Sequence, residues 1–471
     1  MENRKKEGAG ATNNTNVKFL HPLWVMQDIC YGANVNGYYL NVYTYTLCSA
    51  APLQDNHVRQ ALLCIFRMFP NLRLCFRKRE GRVWACQMDR EEIDFKVVEG
   101  EARTMTEEMG TCLYNKIESD GPLWNARLLK NESNVKSFRK ELENDFPHKR
   151  TLLIANHHSI CDGTSNSIIM ESFFQVLNDI IAGKDTNGIK DVAVYKGFDE
   201  WQEVIDANNA KLENDPEKLN TLLEEYTTSS PEGPLFSRFM TLSEGVPFKT
   251  RYVETYFDLD TSNRYIKKCK DNGITVNSGI LSLINVSLVD FYRESGLELE
   301  EYNIKCENAV STRRYLPKSM SKTVGPHISL CLINFVTTPR SKNSFWNFAK
   351  EVHRNFIESL EAGDPIIYQC ITDRLLNGNY AEEFSKPHPP TYDYVTATIG
   401  NLDVHQKTDG DHVRLGHLVR FTTNAFEPLM IMYHSHRGRF YLSISFTDNL
   451  VTEETTQKIL NLIAENFKSL A

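Results

Sequence analysis

The segment from Thr151 to Phe174, TLLIANHHSICDGTSNSIIMESFF, constrains the fold of this 471-residue chain more than any other. An apolar run from Leu152 to Ala155 ends in a polar turn, and a helical pattern follows that turn. Thr164 or Ser165 is expected to cap the helix, because hydroxyl side chains accept hydrogen bonds from the free N–H groups of a helix start. The segment therefore predicts a strand, a tight turn and a helix in direct succession.

The chemistry of this turn lies in His157, His158, Asp162 and Gly163. Successive side chains of a strand point to opposite faces, so we expect one histidine to face a site and the other to pack or form hydrogen bonds. A histidine beside a helix start is suited to act as a general base near developing negative charge. A structural histidine pair and a metal site stay open as alternatives, although no second His or Cys cluster offers metal ligands.

The pattern of the turn, HHSICDG, resembles the HHxxxDG motif of the chloramphenicol-acetyltransferase-like acyltransferases. That superfamily includes peptide-synthetase condensation domains and alcohol acetyltransferases. The resemblance implies that His158 is the general base and that Asp162 turns away from the substrate to hold the loop through an arginine. Within VSTRRYLP, Arg313 matches that arginine, with Arg314 as the alternative. The candidate catalytic residues are therefore His158, Asp162, Gly163 and Arg313.

The candidate substrate contacts are His157 and three polar residues of the segment YVTATIGNL, namely Thr396, Thr398 and Asn401. This segment resembles the Ser/Thr-Asn-x-Gly stretch near the tunnel of related enzymes, although the order here is IGN. Each of the three polar residues also fits an ordinary strand or turn position. The sequence therefore names these residues as candidates and leaves their role open.

The resemblance covers the chain from about Phe19 to Leu470. It implies an α/β fold, an α+β two-layer sandwich in which two chloramphenicol-acetyltransferase-like halves form a V-shaped pseudo-dimer around a tunnel. The predicted division is a disordered N-terminal tail at 1–17, an N-terminal half at 18–182, a linker at 183–245 and a C-terminal half at 246–471.

Three further features are expected to be structural. The linker reads as a solvated connector between the halves. His434 and His436 share one face of a hairpin strand and are expected to be exposed rather than ligands. Cys161, inside the motif, is expected to pack and not to act as a nucleophile.

The composition excludes several classes of function. A net charge of −8 and a pI of about 6.0 give no basic footprint for nucleic acid. No apolar run approaches the length of a membrane span, and the N-terminus lacks the apolar core of a signal peptide. A cytoplasmic location is expected, with the 11 cysteines reduced.

The resemblance implies an acyltransferase that moves an acyl group from a thioester donor, most simply acyl-CoA, to an alcohol or amine acceptor. No bound cofactor is expected, since acyl-CoA would be a co-substrate, and the protein is expected to be a monomer. Two alternatives stay open. One is a stand-alone condensation-type enzyme that takes its donor from a carrier protein, and the other is a catalytically silent binding module of the same fold.

Overall fold

In the computed structural model, the described residues are 17–35, 37–112, 121–130, 137–186, 198–227, 233–241, 249–383, 390–405, 407–424 and 427–471. Residues 1–16 of the predicted tail lie outside this set. So do residues 187–197, 228–232 and 242–248, which belong to the predicted linker or border it.

The described strands lie in three sheets, whose orders are β12-β2-β7-β6-β5, β10-β9-β11-β13-β14-β8 and β1-β4-β3. The strands are β1 (Lys18–Pro22), β2 (Leu40–Ser49), β3 (Leu74–Arg79), β4 (Arg82–Gln87), β5 (Phe95–Val98), β6 (Trp124–Leu129), β7 (His148–His157), β8 (Thr250–Tyr256), β9 (Tyr302–Ser311), β10 (Ile328–Thr337), β11 (Tyr394–Asn401), β12 (Val413–Thr422), β13 (Met430–His436) and β14 (Arg439–Thr447).

The helices pack on these sheets and on one another. They are α1 (Val25–Val35), α2 (Asp55–Met68), α3 (Ala102–Cys112), α4 (Gly163–Ile181), α5 (Phe198–Glu213), α6 (Pro216–Thr227), α7 (Leu259–Asp271), α8 (Val276–Glu294), α9 (Phe345–Ala362), α10 (Asp364–Leu376), α11 (Tyr380–Glu383), α12 (Leu402–His405) and α13 (Glu453–Leu470). The mixed architecture confirms the predicted α/β class.

The five-stranded sheet is built around β7, the predicted motif strand. β2 and β6 flank it in antiparallel pairing, and Leu40 of β2 lies opposite His157 at the motif end. The apolar run from Leu152 to Ala155 is buried on both faces of the sheet. Burial of that kind fixes the register of a strand, because a shift by one residue would reverse the direction of every side chain. The motif turn is therefore fixed at the carboxyl end of the central strand β7.

The six-stranded sheet packs against α8, which is buried around almost its whole circumference. Thr275 caps this helix by accepting a hydrogen bond from the Ser278 N–H at 3.1 Å. β11 pairs in parallel with β9 on one side and β13 on the other. The carboxyl end of β11 thereby reaches the junction with the five-stranded sheet, where Ile399 packs in the core of the N-terminal part.

The strand β12 joins the two larger sheets. It follows β11 in the chain, yet it pairs in antiparallel fashion with β2 of the five-stranded sheet, with Thr422 opposite Asn41. The sequence did not predict this strand. Its side chains reach both parts of the molecule, since Arg420 donates to the carbonyl oxygen of Tyr433 in the other sheet.

Two predictions about local structure are wrong. The cap of α4 is Asp162, whose carboxylate accepts from the Ser165 N–H at 2.7 Å, and neither Thr164 nor Ser165 fills that position. The predicted linker is not a purely solvated connector, because Trp201 of α5 is 2% exposed and its Nε1–H donates to Gln369 of α10 at 3.2 Å. The apolar side chains of α5 are buried against α10, and the sequence analysis did not identify this apolar face.

No single described helix is long and apolar enough to cross a membrane. The pair α7 and α8 meets the length and composition requirement jointly, with a bend of 105° between the two helices.

Candidate active site

The two adjacent histidines of the motif occupy different environments, as strand alternation predicts. His157 is the last residue of β7 and is buried against Tyr31 and Phe76. Its Nδ1 accepts a hydrogen bond from the Ser159 N–H at 3.1 Å. Burial, together with the charge of His158, lowers the pKa of His157 to about 3. His157 is thus a neutral core residue, and it does not line the cavity at which it was a candidate substrate contact.

His158 lies in the turn and lines a cavity of about 270 Å³. Its Nδ1 is 3.1 Å from the carbonyl oxygen of Cys161. Because a carbonyl oxygen only accepts, Nδ1 must carry the hydrogen, which leaves the Nε2 lone pair available. The described residues form no hydrogen bond with Nε2. Burial lowers the pKa of His158 against smaller raising effects from hydrogen bonds and Asp162, so the ring is neutral at pH 7.

Asp162 and Arg313 form the ion pair implied by the sequence pattern. Arg313 Nη1 lies 2.7 Å from Asp162 Oδ2, and Nη2 lies 3.1 Å from Oδ1. The geometry is bidentate, the strongest form of this contact. Burial alone would raise the pKa of Asp162, but the charge and hydrogen bonds of Arg313 hold it below its ordinary value. The Asp162 carboxylate is therefore committed to Arg313 and braces the turn that carries His158.

The same ion pair ties the two parts of the chain together. Arg313 Nη2 also donates to Ser165 Oγ at 2.8 Å and to the carbonyl oxygen of Thr323 at 2.8 Å. Ser165 Oγ in turn accepts from the Gly325 N–H at 2.9 Å. The turn VGPHIS at 324–329 thus reaches the start of α4. Its His327 is buried beside Arg313, and burial followed by that positive charge lowers the pKa of His327 to about 4.

Gly163, the first residue of α4, lies where no side chain fits without a shift of its neighbours. A Cβ atom at this position would lie 2.5 Å from Ile399 Cγ2 and 3.5 Å from Arg420 Nη2. A side chain would push Ile399 aside or intrude on the space that Arg420 and His158 share. The absence of a side chain keeps the helix start open to the cavity, where its N–H groups and dipole favour negative charge.

Arg420 is the residue of this site that the sequence analysis missed. It lies on β12, is 7% exposed and lines the cavity with His158. Its Nη1 donates to the carbonyl oxygens of Ala397 and Tyr433 at 3.1 and 3.3 Å, and no described carboxylate pairs with it. The available signal was the alternation of Val413, Leu415 and their polar neighbours, which is typical of a strand.

Of the three polar candidates on β11, only Thr398 lines the cavity. Thr398 Oγ1 accepts from the Gly400 N–H at 3.0 Å. Thr396 is buried and donates to Asn308 Oδ1 at 2.8 Å, whereas the exposed Asn401 accepts from the Asp403 N–H. The structure therefore brings His158, Asp162, Gly163, Arg313 and Thr398 together and places His157, Thr396 and Asn401 elsewhere.

The remaining histidines and the cysteine that the sequence analysis considered are buried in the protein core. His434 and His436 are 4% and 2% exposed, so the prediction that they are exposed is wrong; His434 stacks on Tyr441. Within the described part of the chain, no group of three or more His, Cys, Asp or Glu side chains could hold a metal ion. Cys161 is buried, and burial raises the pKa of its thiol well above the ordinary value, which does not suit a nucleophile.

Comparisons with known proteins bear on the family and the fold. The family model of the condensation domain matches residues 38–365. Comparison with curated protein sequences gives no significant match. Similar solved structures include TRI3 trichothecene 15-O-acetyltransferase from Fusarium sporotrichioides, with a TM-score of 0.69, 14% identity, and coverage of 98% of this chain and 97% of that chain.

Two further structures share the architecture. The first condensation domain of the calcium-dependent antibiotic synthetase has a TM-score of 0.65 and 11% identity, with 97% of each chain covered. SgcC5 from Streptomyces globisporus has a TM-score of 0.59 and 14% identity, with 95% of this chain and 98% of that chain covered. At these identities the structural likeness shows the fold alone.

Proposed function

The chain belongs to the condensation-domain family, and we propose that it is an acyltransferase that moves an acyl group from a thioester to an alcohol or amine. The simplest donor is acyl-CoA. The observation that carries the proposal is His158, a neutral imidazole in a cavity, with Nδ1 fixed by the Cys161 carbonyl and Nε2 available. This arrangement is that of a general base whose substrate supplies its own nucleophile.

The proposed reaction is direct transfer. Nε2 of His158 takes the proton as the acceptor oxygen or nitrogen attacks the thioester carbonyl carbon. The tetrahedral intermediate then collapses, the carbon–sulfur bond breaks, and the proton passes from His158 to the departing thiolate. The products are an ester or amide and a free thiol. Base assistance of this kind contributes about 10²–10⁴-fold to the rate.

Two groups are placed to stabilise the oxyanion of that intermediate. Gly163 and Thr164, at the start of α4, line the cavity, and a Cβ atom at Gly163 would lie 3.5 Å from Arg420 Nη2. The helix start carries partial positive charge and the guanidinium a full one, and both are held in place before the reaction begins, which favours a developing oxyanion. Asp162 and Arg313 are positioning residues in this mechanism, because both oxygens of the carboxylate are bound by the guanidinium and the pair holds the turn that carries His158.

The test is acceptor-dependent thiol release. The purified protein is incubated with a panel of acyl-CoA donors of increasing chain length and with pooled alcohols and amines, and free thiol is measured. Release that requires an acceptor supports the proposal, and the best donor reports the size of the acyl site. The family match also favours a carrier-protein thioester as donor, so a phosphopantetheinyl carrier loaded with the same acyl groups is the second arm. No release in either arm would contradict the proposal.

A further inference from the structure

The cavity that holds His158 also contains two buried carboxyl groups. Glu307, on β9, is 5% exposed, and Glu427, three residues before β13, is 7% exposed. Both line the cavity. The proposed reaction has no use for either group, and neither residue was singled out from the sequence.

Glu307 has no partner for its carboxylate among the residues that the structure describes. No described lysine, arginine or hydrogen-bond donor contacts it. Asp393, a similarly buried carboxylate nearby in the same sheet region, shows the contrast. It accepts from the backbone N–H groups of Phe236 and Lys305 at 2.7 and 2.8 Å, and from the Tyr292 hydroxyl at 3.0 Å. An unpaired buried carboxylate is costly, so a protein retains one where a ligand completes it.

The surroundings of the two carboxyls suit a cation. Burial and then the charge of Glu427 raise the pKa of Glu307 well above its ordinary value, as expected for two like charges in one apolar space. A positive group beside Glu307 would offset both of these effects on its carboxylate. The rings of Tyr39 and Tyr368 line the same part of the cavity, and tyrosine faces also attract cations.

Tyr39 adds a sign of backbone strain at this point. Its φ is 54°, in the left-handed region that residues other than glycine rarely adopt. The Tyr39 hydroxyl lies 3.3 Å from Glu427 Oε1 and donates to it. Strained backbone persists where the surrounding structure requires it, and such positions cluster at ligand sites.

We propose that Glu307 and Glu427 bind a protonated amino group of the substrate at the end of the cavity away from Arg420. This inference rests on the proposed acyl transfer and names its substrate class, an acceptor such as an amino alcohol or diamine. Two carboxylates alone are too few ligands for a divalent cation, which takes six or more oxygens.

The positions of Glu307 and Arg420 can be compared along β11. Glu307 pairs with Val395 on β11, and Arg420 binds the carbonyl oxygen of Ala397, two residues further along that strand. Two residues of a strand span about 7 Å. The amino group is therefore separated from the reacting hydroxyl or amine by a spacer of several atoms, and shorter acceptors should lose the benefit.

The experiment compares acceptors of equal length with one donor thioester. Amino alcohols with two to six methylenes are measured against the matching diols, by kcat/KM for thiol release. Wild type is expected to prefer the longer amino alcohols by roughly ten- to hundredfold, the effect of one charged hydrogen bond. Glu307→Gln should abolish that preference. Glu301→Gln, an exposed position beside the start of the same strand, should retain it.

A second arm asks whether the amino group belongs to the acyl chain instead. Aminoacyl-CoA thioesters are compared with their unsubstituted counterparts and a neutral alcohol. A preference on the donor side that Glu307→Gln abolishes would keep the cationic class and move it to the donor. Equal rates for charged and neutral substrates in both arms, or a preference that survives in Glu307→Gln, would overturn the inference while leaving acyl transfer intact.

Binding and stability separate this inference from the proposed function. If no thiol is released, 1,4-diaminobutane should still raise the Tm of wild type, with no rise for 1,4-butanediol or for Glu307→Gln. The empty Glu307→Gln protein should have a Tm at least equal to that of wild type, because the buried carboxyl that it replaces has no hydrogen-bond partner among the described residues. A lower Tm would show that Glu307 is structural, and no Tm rise with the diamine would contradict the cation site.

Discussion

Replacing Arg313 by methionine should destabilise the protein through one buried ion pair. The side chains of Arg313 and Asp162 are 6% and 1% exposed, and two hydrogen bonds join them at 2.7 and 3.1 Å. Removing the guanidinium leaves the Asp162 carboxylate buried without its counter-charge. Breaking such a pair costs about 3–5 kcal/mol.

The reciprocal change is Asp162→Asn. An asparagine oxygen can still accept from the Ser165 N–H, so the cap of α4 survives and the lost interaction is the ion pair itself. The double variant Asp162→Asn/Arg313→Met leaves neither charge buried. Its loss of stability should therefore be smaller than the sum of the two single losses, by at least about 1 kcal/mol.

The assay is urea denaturation of the four proteins at pH 7, with the free energies of unfolding combined in a double-mutant cycle. The coupling should change little between low and high salt, because a buried pair is poorly screened. Asp162 has its pKa lowered in the fold, so the pair stabilises the protein above pH 3.8 and loses its effect as pH falls further. Additive single losses, or losses below about 1 kcal/mol, would refute the reasoning.

Two further predictions concern the remaining buried charges. Arg420→Met should lower kcat by about 10²–10³-fold, the cost of losing one oxyanion donor, in a protein whose circular dichroism matches wild type; unchanged kcat would remove Arg420 from the mechanism. Stability should also fall as pH drops from 7 to 5, measured by urea denaturation, because His157, His327 and His436 have folded pKa values of about 3, 4 and 3. Below pH 6.5 these histidines bind protons in the unfolded chain but stay neutral in the folded protein. The free energy of unfolding should therefore fall by roughly 1.4 kcal/mol per histidine and pH unit. Equal stability at pH 7 and pH 5 would contradict this.

The motif turn could be predicted from sequence because its determinants are local. Strand alternation separates His157 from His158, and the apolar run before them fixes which strand carries the turn. The ion pair with Arg313 spans 151 residues along the chain, and it was reached only through the resemblance of two short motifs. The predicted role of each residue in catalysis stays a prediction.

The rest of the site depends on contacts that no local pattern contains. Arg420 reaches the cavity because β12 leaves its neighbours in sequence and pairs with β2. In the sequence, Glu307 is typical of a polar residue in a strand. Its burial becomes evident only in the folded protein, where β9 pairs with β11. His434 was misjudged for the same reason, since hairpin strands are exposed only where nothing covers them, and β12 and Tyr441 cover this one.

The most direct test of the account compares His158→Ala with His148→Ala. Both histidines belong to the motif strand or its turn, but His148 is exposed at the far end of β7. With the best donor and acceptor, His158→Ala should lower kcat/KM by about 10²–10⁴-fold at unchanged Tm, and His148→Ala should match wild type. Wild-type turnover in a folded His158→Ala protein would contradict the assignment of His158 as the general base.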